Sequence, residues 1–525
     1  MERLKALLEI KPKGGDVEHE NNRYWSEDMA PLPEERQTWD LLNFVSFWIS
    51  DAFNIPKFLM AGSLVSLGMN WWQAMLTFMT GMIVITVAIT LGGVTGARYH
   101  VSFPVVGRLS FGMKGAYIPV CMRFVLAWIW YGVNLWLGGE CLYVVILACW
   151  PGYNDIPKGF SDPDIHMRQF IPCMVFWLAS IPVIALGAEK IRPLFMVKAF
   201  FLPVAGIVLF VWSVVNAGGF SSVLAMAGTN VKAKQSFFWA FFSGVTSVMG
   251  NMATFAINCP DYTRYSKTVR AQTIGQALTI PLGMFFTGFL AVFISSASIA
   301  LYGEAIWDPI VFISKMDPGN ALNRVLQFVL GLGFALALLV VNCAGNALFA
   351  GNDISSLAPR YMTIRRGSIL CSVVGICICP WKLLSGANGF LNFLSSYTTF
   401  LGPIGGIVLA DYWIVRKRYV EVPELYKPGG IYWYGNGFHM PAIVALIIGI
   451  IPNFPGFLDK IGVAGIPDFF KKVFNFSWFI GLLLGGFVYV VICKYHAKSR
   501  SEIVYEPRLG IDNSVDEKKM GFVEA

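Results

Sequence analysis

Apolar residues along this chain do not mark one face of a helix; they fill whole stretches. Such runs fall near 44–68, 72–95, 116–146, 170–187, 194–216, 237–258, 273–301, 322–350, 367–384, 390–414, 439–458 and 475–494. A membrane-spanning α-helix needs about 20 predominantly apolar residues, so these runs predict twelve spans. The gaps between them are too short for a soluble domain. Segments 1–43 and 495–525 are polar tails. The fold class expected is an all-α polytopic membrane protein.

Composition sharpens that picture. The chain has 525 residues, 56% hydrophobic and 14% charged, with mean hydropathy +0.59. Soluble domains carry about a quarter charged residues, so a soluble enzyme and a secreted scaffold are both excluded. Most of the ten cysteines lie within apolar runs, among them Cys121, Cys141, Cys343 and Cys371, where thiols behave as small hydrophobes. The first 40 residues lack the apolar core of a cleavable signal; span 1 is expected to serve as an uncleaved one.

The net charge of +8 would suit a nucleic-acid binder, but its distribution points elsewhere. With the N-terminus inside, the inner loops and tails hold 27 Lys and Arg against 8 outside. By the positive-inside rule both termini are cytosolic, and the excess charge needs no nucleic acid. The five His are scattered and no phosphate-cradling GxxxxGK[ST] occurs. Neither a metal centre nor an ATP-driven pump is expected, and no enzyme activity.

Candidate chemistry lies where the spans break the rules of a lipid-facing helix, because charge and irregular backbone are tolerated there only when they line a cavity or are buried in protein. Span 1 contains Ser50-Asp51-Ala52-Phe53-Asn54-Ile55-Pro56-Lys57. Pro56 predicts a kink or unwinding around Phe53–Pro56. Asp51, Asn54 and Lys57 share a face, as a packing ion pair or as a substrate- and proton-responsive site. Span 6 contains Gly244, Thr246, Ser247, Gly250, Asn251 and Met252, which permit close packing or unwinding. Interrupted helices five spans apart suggest a transporter with inverted repeats. In span 3, Trp130 and Asn134 sit one turn apart, an aromatic plane beside an amide. Span 8 repeats the amide spacing with Asn342 and Asn346. Glu140, Arg123, Lys198 and Lys382 read as structural pairs or snorkelling ends.

Longer motifs carry a resemblance. They are Gly68-Met69-Asn70-Trp71-Trp72-Gln73, Tyr99-His100-Val101-Ser102-Phe103-Pro104, Asn258-Cys259-Pro260-Asp261-Tyr262-Thr263-Arg264-Tyr265, Gly351-Asn352-Asp353 and Ala410-Asp411-Tyr412-Trp413-Ile414-Val415-Arg416. The chain resembles nucleobase–cation symporter family 1, in its fungal Fur-type branch of uracil, allantoin and uridine permeases. The resemblance implies a five-plus-five inverted repeat of the LeuT type, with helices 1 and 6 broken. The first repeat would occupy 44–216 and the second 237–414, with two added helices at 439–494. It also implies alternating access around a midplane site. Trp130 matches the family's stacking tryptophan, Asn134 stands in place of a substrate-binding glutamine, and Asn346 matches an asparagine that reads the ring edge. Asn54 falls at the site-facing position of span 1, and Asn251 and Met252 at the unwound part of span 6. Asn342 is expected beside them, with Lys57, Ser50 and Phe53 as gating or supporting residues.

Three departures stand out. Asn134 reaches less far than glutamine, Met252 replaces a second stacking tryptophan of the bacterial hydantoin transporter, and Lys57 is atypical for the branch. A sodium site in this fold would draw on hydroxyls in span 8, where this chain has Leu339-Val340-Val341. Proton coupling through Asp51 is therefore expected over sodium, with no other cofactor. The partners expected are a small heterocycle and the lipid bilayer, at the plasma membrane. Alternatives are a carrier for a vitamin or nucleoside (thiamine, nicotinamide riboside, uridine) and a non-transporting nutrient sensor.

Overall fold

The computed structural model describes residues 24–499, apart from 26–27, 163, 187–191, 226–235 and 359–360. Among the described residues every regular element is helical. Span 1 is two helices, α1 (Leu41–Ala52) and α2 (Ile55–Ser66). There follow α3 (Trp71–Tyr99), the short α4 (Phe103–Phe111), α5 (Tyr117–Cys149), α6 (Met167–Leu186), α7 (Arg192–Asn216) and α8 (Phe237–Asn258). Next come α9 (Val269–Tyr302) and the short α10 (Pro309–Ser314). Span 8 comprises α11 (Ala321–Val341), a π-helical turn at Asn342–Ala347 and α12 (Leu348–Leu357). The remaining spans are α13 (Ile364–Cys377), α14 (Ala387–Ser396) continued by α15 (Thr398–Ala410), α16 (Met440–Ile450) bent into α17 (Phe454–Lys460), and α18 (Ser477–Ser499).

Nine of the described helices are long and apolar enough to cross a membrane, and the pair α16 and α17, bent by 54°, makes a tenth. The other two expected spans are the broken span 1 and the 14-residue α13.

Span 1 breaks where the sequence predicts, though proline acts differently there. Phe53 and Asn54 leave helical geometry, and Asn54 is extended at φ −128° and ψ 157°. Its carboxamide oxygen accepts the Lys57 backbone N–H at 3.2 Å and so caps α2. Pro56 sits in the first turn of α2, where its missing N–H costs nothing. It starts the second helix rather than kinking one helix in mid-course.

Span 6 differs from the expectation. α8 runs without interruption through Asn251 and Met252, and its first departure comes at Cys259–Pro260. The reason lies in packing. A Cβ at Gly250 would stand 2.0 Å from the Leu394 carbonyl oxygen of α14, so this glycine serves close approach, not unwinding. Lipid tails are as apolar as the side chains, so contact of small residues is what joins helices in a bilayer. Gly406 of α15 plays the same part against the Leu482 carbonyl of α18, again at 2.0 Å.

Different side chains fasten the two ends of the bundle. At the α4 end, Arg108 is 2% exposed and donates to the carbonyls of Tyr24 and Leu425 at 2.8 and 3.0 Å. At the opposite end Asp308 caps α10 by accepting the Ile310 N–H at 2.7 Å. Beside it Trp307 stacks on Phe390 of α14 with centroids 5.6 Å apart.

Candidate substrate site

The residues singled out by sequence gather in two groups on either side of α14. The first is built on the break in span 1 and the middle of α8. Asn54, already capping α2, also donates from Nδ2 to Asp51 Oδ1 at 3.3 Å. Lys57 turns its ammonium towards α8. It donates to Asn251 Oδ1, lies 2.9 Å from Met252 Sδ and 5.7 Å from the Phe255 ring centre. Asp51 Oδ2 is 3.7 Å away, an ion pair longer than a hydrogen bond. Asn54, Lys57, Asn251 and Met252 are all at most 5% exposed. Ser50 is buried with no hydrogen-bond partner for its hydroxyl, and Phe53 packs against the core at the break.

The second group lies on spans 3 and 8. Trp130 of α5 meets Phe393 of α14 at 5.6 Å between ring centres and Phe390 edge-on at 6.4 Å. Asn134, one turn on, is 3% exposed and its Oδ1 is unpartnered. Across from it, Asn342 Nδ2 donates to the Tyr131 carbonyl at 3.0 Å, and Asn346 Nδ2 donates to Asn342 Oδ1 at 2.9 Å. Both asparagines fall in the π-helical turn. Such turns insert one extra residue into the helix and gather at functional sites.

Among the described residues no hydrogen bond between side chains joins the two groups; α14 connects them. Ser247 of α8 donates to the Leu391 carbonyl at 3.1 Å, while Phe390 and Phe393 from the same turns face Trp130. An aromatic plane, an unpaired amide oxygen and a half-buried amide on one side thus share a core with a cation and carboxylate on the other. A flat, polar-edged molecule fits that chemistry: its face stacks, and its edge meets amides.

Sequence reasoning passed over two features. Phe390, Phe393 and Tyr397 form an aromatic stripe at helical spacing in span 10, a signal common to many buried helices. Lys198 of α7, read as a structural or snorkelling residue, is 5% exposed and lies within electrostatic reach of Asp51 and Lys57. The other intramembrane charges sit apart from the site. Arg123 Nη1 bonds Asp261 Oδ2 and its Nε bonds Asp353 Oδ2, each at 2.7 Å. Glu140 accepts the Trp136 indole N–H at 3.0 Å, and Lys382 pairs with Asp162 at 3.3 Å.

Comparison with known proteins places this arrangement. Residues 31–481 match the family described as permeases for cytosine/purines, uracil, thiamine and allantoin. An uncharacterized permease of Schizosaccharomyces pombe is 37% identical, covering 89% of this chain and 80% of that one. The allantoin permease of Saccharomyces cerevisiae is 32% identical over 90% of this chain and 76% of its own. Among solved structures, the nucleobase-cation-symport-1 transporter Mhp1, closed with bromovinylhydantoin bound, aligns with a TM-score of 0.71. It shares 22% identity and covers 91% of this chain and 96% of its own. At that identity the likeness concerns the fold alone. The all-α, five-plus-five architecture expected from the sequence is the fold the two proteins share.

Proposed function

Because the chain belongs to the family of permeases for cytosine/purines, uracil, thiamine and allantoin, we propose that it is a proton-coupled symporter. It imports a nucleobase or related planar heterocycle, of the uracil and allantoin kind, across the plasma membrane. It works by alternating access, with both termini in the cytosol. That it is a membrane permease and not an enzyme follows from the family.

The observation that carries the proposal is the coincidence of irregular backbone with buried amides. The break at Phe53–Asn54 and the π turn at Asn342–Ala347 are departures from α-helix inside the spans. Each presents buried or half-buried asparagines, with Trp130 beside the second. Non-helical backbone at membrane depth is stable where it lines a binding cavity, and discontinuous helices hold substrate in transporters of this architecture. Trp130 supplies the stacking plane, Asn134 and Asn346 the edge contacts, and Asn251 and Met252 the opposite wall. Relatives named for allantoin, uridine and uracil support the substrate class.

Proton coupling rests on Asp51, which sits at the break with one oxygen bonded to Asn54 and the other without a hydrogen bond. The stretch Leu339-Val340-Val341 of α11 offers no side-chain oxygen to sodium. A carrier for a nucleoside or vitamin in the same fold is the second reading; the relative named uridine permease favours it. Uptake of labelled uracil, allantoin, uridine and thiamine into transport-deficient cells tests both. Measured at pH 5 and 7, with and without sodium, uptake of a base or allantoin that rises in acid and ignores sodium supports the proposal. Sodium-dependent uptake overturns the coupling, and uptake of uridine or thiamine alone overturns the substrate.

A further inference from the structure

The charges buried around the break in span 1 do not balance. Asp51 supplies one carboxylate, whereas Lys57 and Lys198 supply two ammonium groups, 3% and 5% exposed. Among the described residues the surrounding helices bring no free carboxylate to offset the excess. α8, α14 and α15 contain no charged residue, and the only charge on α9 is Arg270, in its first turn. On α5, Arg123 is engaged by Asp261 and by Asp353 of α12, and Glu140 is held by Trp136 and Gln169. The charge on α11, Arg324, bonds the carbonyls of Ala148 and Cys149. Among the described residues the site therefore holds a net positive charge.

Lys57 is where that charge meets the substrate-facing wall. An ammonium has three donors. Here the partners in direct contact are a neutral amide oxygen, Asn251 Oδ1, and the weakly accepting sulfur of Met252. Asp51 Oδ2, at 3.7 Å, is within ion-pair range but beyond a hydrogen bond, so this buried cation still lacks a hydrogen-bonded anion, an arrangement that a closer anion would relieve. A lipid-enclosed site makes that demand stronger, because no bulk water screens the charge.

We infer that the substrate is an anionic planar heterocycle, one carrying a carboxylate, whose charge is received by the Lys57 ammonium beside Asn251 and Met252. This rests on the transport reading above and narrows its substrate class. The substrate's carboxylate then offsets one of the two buried ammonium groups, whether or not Asp51 carries the coupling proton.

The test uses the purified full-length protein and pairs of probes alike in shape but not in charge. Binding of uracil-6-carboxylate is compared with uracil-6-carboxamide, and pyridine-3-carboxylate with pyridine-3-carboxamide, with uracil as neutral reference. Wild type is expected to hold a carboxylate at least tenfold more tightly than its carboxamide. Lys57→Gln should erase the preference and Lys57→Arg should keep much of it. Should Lys57→Gln fail to fold, the wild-type ratio and the Lys57→Arg variant still decide. Equal or tighter binding of the neutral probes by wild type overturns the inference and leaves the transport reading standing. So does a preference that persists in Lys57→Gln. Silence across charged and neutral probes alike removes the transport reading, and the inference with it.

Discussion

Arg123 Nη1 stands 2.7 Å from Asp261 Oδ2, which ties the start of span 3 to the turn that follows span 6. The same guanidinium bonds Asp353 at the end of span 8, and Asp261 accepts the Phe103 N–H at 2.8 Å where α4 begins. One buried cation thus pins three spans and, through Asp261, α4. Removing one member of a buried ion pair leaves the rest uncompensated, at a cost of about 3–5 kcal/mol. Arg123→Ala is expected to lower thermal stability in detergent strongly. Arg123→Met combined with Asp261→Asn and Asp353→Asn should recover much of the loss. Equal losses in the single and triple variants would show that the network's charge is not what matters.

Asn134 tests the site from the other direction. Its Oδ1 is buried and unpartnered, and such an acceptor costs about 1–3 kcal/mol. Asn134→Ala should leave the ligand-free protein as stable as wild type or more so, while weakening substrate binding. A variant that loses stability without losing affinity would assign Asn134 to packing instead.

For Trp130, stacking of a base on an aromatic side chain is worth about 1–3 kcal/mol. Trp130→Ala should therefore raise the uptake KM between about fivefold and about a hundredfold, and Trp130→Phe by much less. The ring also abuts Phe390 and Phe393. A thermal-shift control on both variants separates a lost stacking plane from a disturbed core.

Coupling through Asp51 makes a sharper demand. Asp51→Asn should bind substrate yet no longer accumulate it against a gradient, and its uptake should no longer change between pH 5 and 7. Accumulation with an unchanged pH profile would end the coupling role.

Asp308, outside the spans, is expected to shape the acid side of the stability profile. Burial pushes its carboxyl up from the ordinary 3.8 to about 6, against the bonds it accepts from the Ile310 and Val311 N–H groups. Glu140 of α5 is the acidic neighbour within electrostatic reach. The folded protein then holds this proton more tightly than the unfolded chain does. Its contribution to stability is fully present below about pH 4 and is lost as pH rises through about 6. Asp308→Asn keeps a capping side chain for α10 and should remove that decline between pH 4 and 6. A profile identical to wild type would place the titration elsewhere.

Much of this protein was legible in its order of residues. The spans are apolar throughout because lipid requires it, and a run of that kind needs no tertiary information to be recognised. The break in span 1 was legible because Asn and Pro act on the local backbone. Trp130, Asn134, Asn342 and Asn346 stood out because amides are conspicuous at membrane depth. Span 6 was not legible in the same way: glycine permits either unwinding or close contact, and the approach of Leu394 to Gly250 decided for contact. The π turn at Asn342–Ala347 in span 8 was not read from the sequence either. Charge partners belonged wholly to the tertiary structure. Arg123 meets Asp261 and Asp353 from 138 and 230 residues away, and Lys57 meets Asn251 across 194. A lysine in a span announces that it must be accommodated, because burying charge is costly. Only the fold settles what accommodates it, because Coulomb's law depends on distance in space and not on distance along the chain.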